Sequence, residues 1–222
     1  MPEGDTVRRL ADRIGARFVG ERCTRSIARD PRIVHLDLAG SQLVETDAVG
    51  KWLLLRFDDG RTVYGHLRMD GRWDLGRRSP APEWKRRLEV EFESGWMTAV
   101  DMPVIGVVAT ADEESVVGHL GPDLCGPGVP DIEAIVARLV EQPDRPLAGA
   151  VLDQRNVAGF GNVYAVETPF IAGVSPFQPV GSIDGLDLVV RAGSALIRTN
   201  AERGPQNTTG RRLHEAHHWV YG

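Results

Sequence analysis

DQRNVAGFGNVYAVE, Asp153 to Glu167, is the stretch on which the reading of this chain turns. Gly159 and Gly161 carry no Cβ, so the backbone there can come close to a ligand and adopt conformations closed to other residues. Asn162 then opens a helix, and the amides of a glycine turn at a helix start suit an anion such as phosphate. A GFGN turn alone is common. Behind DQ and before VYAVE it is a specific signal.

Working outward, helical spacing dominates this half of the chain. Ile132, Ile135, Val136 and Leu139 form one stripe, Leu147 to Leu152 predicts a short helix, and Leu186 to Ala201 a longer one. Gly204 to Gly210 reads as a polar loop. Upstream, 121–130 holds three glycines and three prolines in ten residues and reads as a linker. Before it, from about residue 22 to 110, the period changes to two. Val34, Leu36 and Leu38 alternate with His35 and Asp37, and Leu88, Val90 and Phe92 with Arg87, Glu89 and Glu91. Trp52 to Phe57, Thr62 to Leu67 and Trp96 to Val100 are further strand-like runs, separated by turn signals such as Asp58-Asp59-Gly60 and Asp70-Gly71. Several short strands spaced this way predict a sandwich or barrel. Residues 5–18 predict a leading helix, with Val7, Leu10, Ala11, Ile14 and Phe18 on one face and Asp5 or Thr6 as its cap. The expected fold is α+β: an N-terminal β-sandwich domain with a flanking helix over 1–120, a linker over 121–130, and a helical domain over 131–222.

The chain has 222 residues and a net charge of −5, which disfavours a uniform electrostatic attraction to nucleic acid. Any such site must be a local basic patch. Candidates are Arg8, Arg9, Arg13 and Arg17; Arg77, Arg78, Lys85, Arg86 and Arg87; and Arg211 and Arg212. Lys51 and Lys85 are the only lysines, which makes Lys51 conspicuous. No run of about 18 apolar residues suggests a membrane span, and the start lacks a signal-peptide core, so a cytoplasmic location is expected. Cys23 and Cys125 are too far apart in sequence for a metal knuckle and read as unrelated thiols.

The candidate chemistry begins at the other end of the chain. Pro2 follows Met1, and a small second residue permits removal of that methionine. The freed secondary amine would titrate near 8, leaving a nucleophilic fraction at neutral pH that can attack a sugar carbon and form an iminium ion. Glu3 beside it can move protons. Near the other terminus, His214-Glu215-Ala216-His217-His218 matches the zinc-protease pattern, but too little sequence follows for a third ligand, and we read it as a decoy.

Four separated motifs in order, PEGDTV, VGKWLLLRF, HLRMDGRW and DQRNVAGFGNVYAVE, resemble the formamidopyrimidine-DNA glycosylase and endonuclease VIII family. The PEGDT form, with Thr6 where many relatives have glutamate, is most similar to the endonuclease VIII branch, particularly its actinobacterial members. The resemblance implies a helix–two-turns–helix element in the helical domain. It also implies a bifunctional DNA glycosylase and abasic-site lyase of base excision repair. Pro2, Glu3 and Lys51 would be catalytic, Pro2 through a Schiff base followed by β,δ-elimination, with Lys51 gripping a phosphate near the lesion. His66, Arg68, Met69, Asp70, Gly161 and Asn162 would meet DNA, Met69 as the apolar wedge filling the gap left by a flipped base and Arg68 at the orphaned partner base. The implied partner is double-stranded DNA with oxidised bases or abasic sites, bound by a monomer near the nucleoid. Branch likeness favours oxidised pyrimidines. A formamidopyrimidine or 8-oxoguanine enzyme and a non-catalytic lesion-binding protein are the alternatives. No cofactor enters the implied chemistry. The family usually adds a structural zinc finger with CxxC pairs; this sequence has no such ligands, so no metal-binding residue is expected in it.

Overall fold

The computed structural model describes residues 2–210 and 217–221. The chain divides into two compact units: Pro2 and Leu10–Gly118 in one, Glu3–Arg9 and His119–Gly222 in the other.

Helix α1, Gly4–Phe18, runs through residues of both units, and its apolar stripe is the expected one: Val7, Leu10, Ala11, Ile14 and Phe18 are all buried. Its cap differs from expectation. The backbone carbonyl of Glu3 accepts the first helical bonds, from Thr6 N at 3.0 Å and Val7 N at 3.1 Å. Asp5 lies inside the first turn instead, and its buried carboxylate pairs with Arg9 at 3.1 Å.

The first unit holds eight strands: β1 Arg25–Ala28, β2 Leu43–Val49, β3 Trp52–Phe57, β4 Arg61–His66, β5 Arg72–Gly76, β6 Arg86–Phe92, β7 Gly95–Val100 and β8 Val104–Ala109. They form two antiparallel four-stranded sheets, ordered β1-β6-β7-β5 and β2-β3-β4-β8. Alternation explains much of the burial. Leu88 and Val90 are buried, as are Leu53, Leu55 and Phe57 and, on the partner strand, Val63. Phe18 stacks on Phe92 with ring centroids 4.8 Å apart. The expected strand over Val34–Leu38 does not form. Pro31–Ile33 make a 3-10 turn capped by Asp30, Leu36 N returns to Ile33 O, and Leu38 N donates to the Ser26 hydroxyl at 2.8 Å. These amides are satisfied locally and by a side chain, so no ladder is left to make.

In the second unit, α3 Ile132–Val140, α4 Leu147–Leu152, α5 Asn162–Ile171 and α6 Leu186–Arg203 follow a short α2, Glu114–Val117, that belongs to the sheet unit. Ile135, Leu139, Leu147, Ala150, Phe160, Tyr164 and Ile197 build its core, which Leu124 and Cys125 of the glycine- and proline-rich stretch also join. Cys23 and Cys125 are both buried free thiols. No helix among the described residues is long and apolar enough to cross a membrane.

Candidate active site

The glycine turn before α5 does hold an anion, and the anion is part of the chain itself. Glu3 is fully buried; its carboxylate accepts from Gly161 N at 2.7 Å and from Val163 N at 2.8 Å. A carboxylate at a helix N-terminus meets both unpaired amides and the positive end of the helix dipole. The Gly161 amide, expected to face phosphate, is therefore taken by Glu3. Glycine is needed at 161 because an added Cβ would lie 2.5 Å from Glu3 Cδ. Gly159 has φ +103, a conformation other residues rarely adopt, and its carbonyl accepts from Gly4 N at 2.9 Å. Asn162, the first residue of α5, keeps its side chain exposed. Pro2, directly before this anchored glutamate, is half-buried.

The rest of the motif builds the turn's frame. Gln154 accepts from Gly159 N at 3.1 Å and donates to Phe160 O at 2.8 Å, clamping both sides of the bend. Asp153 binds Arg145 and Arg155, whose guanidinium groups hold its carboxyl well below the usual range, Arg155 contributing most. Tyr164 is buried, with its hydroxyl accepting from Asn200 Nδ2 at 2.8 Å. Glu167 accepts from the Thr208 hydroxyl and from three consecutive amides, Trp219, Val220 and Tyr221, at 2.7–2.8 Å. Burial alone would raise its carboxyl; these donors hold it below the usual range. Gln154 and Glu167 were only letters of a motif in the sequence, because their partners lie in loops without periodicity.

Lys51 and His66 lie together in the sheet unit. Gly50, at φ +59, and Lys51 form the two-residue turn between β2 and β3, where Val49 pairs with Trp52. His66 closes β4 opposite Trp52, its ring edge-on to that indole at 5.2 Å. Burial, first, and then the charges of Arg68 and Lys51 push His66 down to about 4. After His66 the chain leaves one sheet for the other, since β4 and β5 belong to different sheets. The HLRMDG segment is thus a crossover between sheets and not a hairpin within one. Its ends, Leu67 and Gly71, are buried, while Arg68, Met69 and Asp70 project, Met69 at 63% exposure. Met69 does not pack in the core.

The basic patches are partly spent on structure. Arg78, Arg86 and Arg29 all bind Glu89, which has no exposed surface, and Lys85 pairs with Asp101. Arg9 bridges Asp5 and the Asn200 carbonyl, and Arg17 donates to Ser94 O. Arg13 and Arg77 are exposed. Arg211, Arg212, His214 and Glu215 lie outside the described residues. Among the described residues no group of three or more His, Cys, Asp or Glu is placed to hold a metal ion.

Comparison with known proteins places these features in context. The family model of the formamidopyrimidine-DNA glycosylase N-terminal domain matches residues 1–106. The probable endonuclease 8 2 of Streptomyces coelicolor is 40% identical, over all of this chain and 82% of that protein. The DNA-(apurinic or apyrimidinic site) lyase Nei2 of Mycolicibacterium smegmatis is 37% identical, over all of this chain and 87% of that protein. Among solved structures, the MutM (Fpg) protein of Thermus thermophilus superposes with a TM-score of 0.76 at 28% identity, covering 90% of this chain and 76% of that one. A Lactococcus lactis formamidopyrimidine-DNA glycosylase, bound to DNA containing an abasic site, has the same fold, with a TM-score of 0.78 at 20% identity over 90% of this chain and 82% of that one.

Proposed function

The chain belongs to the formamidopyrimidine-DNA glycosylase and endonuclease VIII family, and from that membership we propose that it is a bifunctional DNA glycosylase and abasic-site lyase of base excision repair, with Pro2 as its nucleophile. The observation that carries the assignment of residues is the anchoring of Glu3. Two amides of the α5 start, at 2.7 and 2.8 Å, fix the carboxylate of the residue that directly follows Pro2 in the chain, which supports a role for that carboxylate beside the terminal amine. Positioning a nucleophile beside a proton-handling group is the usual requirement for covalent catalysis.

Once Met1 is removed, the lone pair of the Pro2 nitrogen attacks C1′ of the damaged nucleotide. The C1′–N bond breaks and the base leaves, taking a proton. The ring oxygen O4′ then leaves C1′ with a proton delivered through Glu3, and an iminium ion remains. Loss of a C2′ proton expels the 3′ phosphate, a second elimination expels the 5′ phosphate, and water adds to the remaining iminium and breaks the Pro2 N–C1′ bond, releasing the sugar remnant as an aldehyde and freeing the amine. Lys51, in its tight turn, grips a backbone phosphate, and Met69 and Arg68 enter the stack where the base has left. The chemistry draws on the chain's own amine and carboxylate and on no cofactor. The substrate is duplex DNA with oxidised bases, pyrimidines favoured over formamidopyrimidine and 8-oxoguanine, and a monomer acts on it in the cytoplasm at the nucleoid.

The test is borohydride trapping on an abasic duplex. The Met1-free protein should give a covalent adduct whose peptide mass maps to Pro2. A version that keeps an N-terminal extension should give none, and Glu3→Gln should trap weakly. Equal trapping by the extended protein would remove Pro2 from the mechanism. A panel of oxidised pyrimidine and purine duplexes then checks the preference.

A further inference from the structure

The exposed tip at 68–70 is held in shape by a contact that the chemistry above does not use. His66 Nδ1 accepts from the backbone amide of Arg68 at 3.1 Å. An acceptor side chain bound to the amide two residues on is the arrangement by which Asn and Asp close turns. Here a histidine does it, which leaves the ring proton on Nε2. The turn needs such closure because Arg68 has φ +50, a left-handed conformation that side chains other than glycine adopt rarely. Residues in such conformations persist where their surroundings over-determine them.

The surroundings do so from both ends. Leu67 is buried, and its carbonyl accepts from Gly71 N at 2.9 Å. A Cβ at Gly71 would meet Leu67 O at 2.7 Å and Met102 Sδ at 2.9 Å, so the return of the chain is packed closely. Trp52 stands edge-on to the imidazole on the neighbouring strand and restricts its rotation. The low position of His66, about 4, keeps the ring neutral at physiological pH and Nδ1 available as an acceptor.

We propose that His66 is a positioning residue: by accepting from the Arg68 amide it builds the Arg68–Met69–Asp70 tip before DNA arrives, so that the wedge enters the stack preformed. Preorganisation of this kind lowers the ordering cost of binding. The proposal rests on the reading of the chain as a DNA glycosylase.

The experiment compares His66→Phe, which keeps a ring without an acceptor, with His66→Asn, whose side-chain oxygen can close the same turn. Without DNA, amide exchange at Arg68 should speed up in His66→Phe and return toward the wild-type rate in His66→Asn. With a duplex carrying an oxidised base, kcat/KM should fall about tenfold in His66→Phe, largely through KM, and recover to within about threefold in His66→Asn. If both variants lose activity alike, the ring acts by another contact, such as one to phosphate, and the proposal fails; it also fails if His66→Phe behaves as wild type. If the wild type itself neither excises nor traps, the functional reading falls, while the exchange measurement still decides whether His66 shapes the tip.

Discussion

The turn at Gly159–Gly161 and the bend at Arg68–Gly71 look alike in sequence, each short, glycine-containing and set in a motif that suggests contact with DNA. They end in opposite states. At the turn, the amides of Gly161 and Val163 are filled by the chain's own Glu3, and nothing larger than hydrogen fits at 161. At the tip, the foundation is buried while three consecutive side chains project into solvent. A backbone cradle for an anion thus need not be a ligand site. The filled bend is closed to any outside group, and the open one presents its side chains to solvent.

Breaking the filled bend should have the larger effect. Gly161→Ala places a methyl 2.5 Å from Glu3 Cδ and 2.6 Å from its Oε1, which forces the carboxylate out of its two amide bonds. Excision and borohydride trapping should both fall on the order of 100-fold, the scale of a small misplacement at a reacting centre. Retention of trapping within a few-fold would mean that Glu3 need not be anchored. At the open bend, Met69→Ala should lower excision about tenfold, a change of about 1.4 kcal/mol. Trapping on a preformed abasic site should change less, and the melting temperature should stay near wild type, because an exposed side chain contributes little to folding. A large fall in melting temperature would show that Met69 is structural after all.

A separate effect, on stability and not on excision, is that of pH on the tip's foundation. His66 moves from an ordinary 6.5 to about 4 in the fold, chiefly by burial. Between those values the unfolded chain binds a proton that the folded chain refuses, so stability should decline as pH falls through that window. His66→Phe should flatten the decline, measured as melting temperature against pH. An unchanged slope would contradict a buried neutral imidazole there.

Strands could be placed from sequence where an apolar run is bounded by turn signals, as at Trp52–Phe57, or where apolar residues alternate with charged ones, as at Leu88–Phe92, although Leu54 and Glu89, on the opposite faces, are buried too. The same pattern misled at Val34–Leu38, where burial of Leu36 and Leu38 is achieved by turns and by the Ser26 hydroxyl. Alternation reports a buried face; it does not report a partner strand. The helices of the second unit were legible from their stripes to within a few residues. At the site, Pro2, Glu3 and the glycine turn were each visible, but their union was not, since 158 residues separate Glu3 from Gly161 and no period spans that distance. The crossover nature of 66–71 was hidden for a related reason: a tight bend reads the same whether the next strand pairs with its predecessor or joins another sheet.

The two buried sulfurs noted in the fold have a consequence for durability. Burial pushes the Cys23 thiol up to about 11 and Cys125 higher still. At neutral pH both thiols therefore stay protonated, and the ionised form is the one that peroxides attack. This chain keeps both of its sulfhydryl groups in the form that oxidants attack slowly, and largely out of their reach.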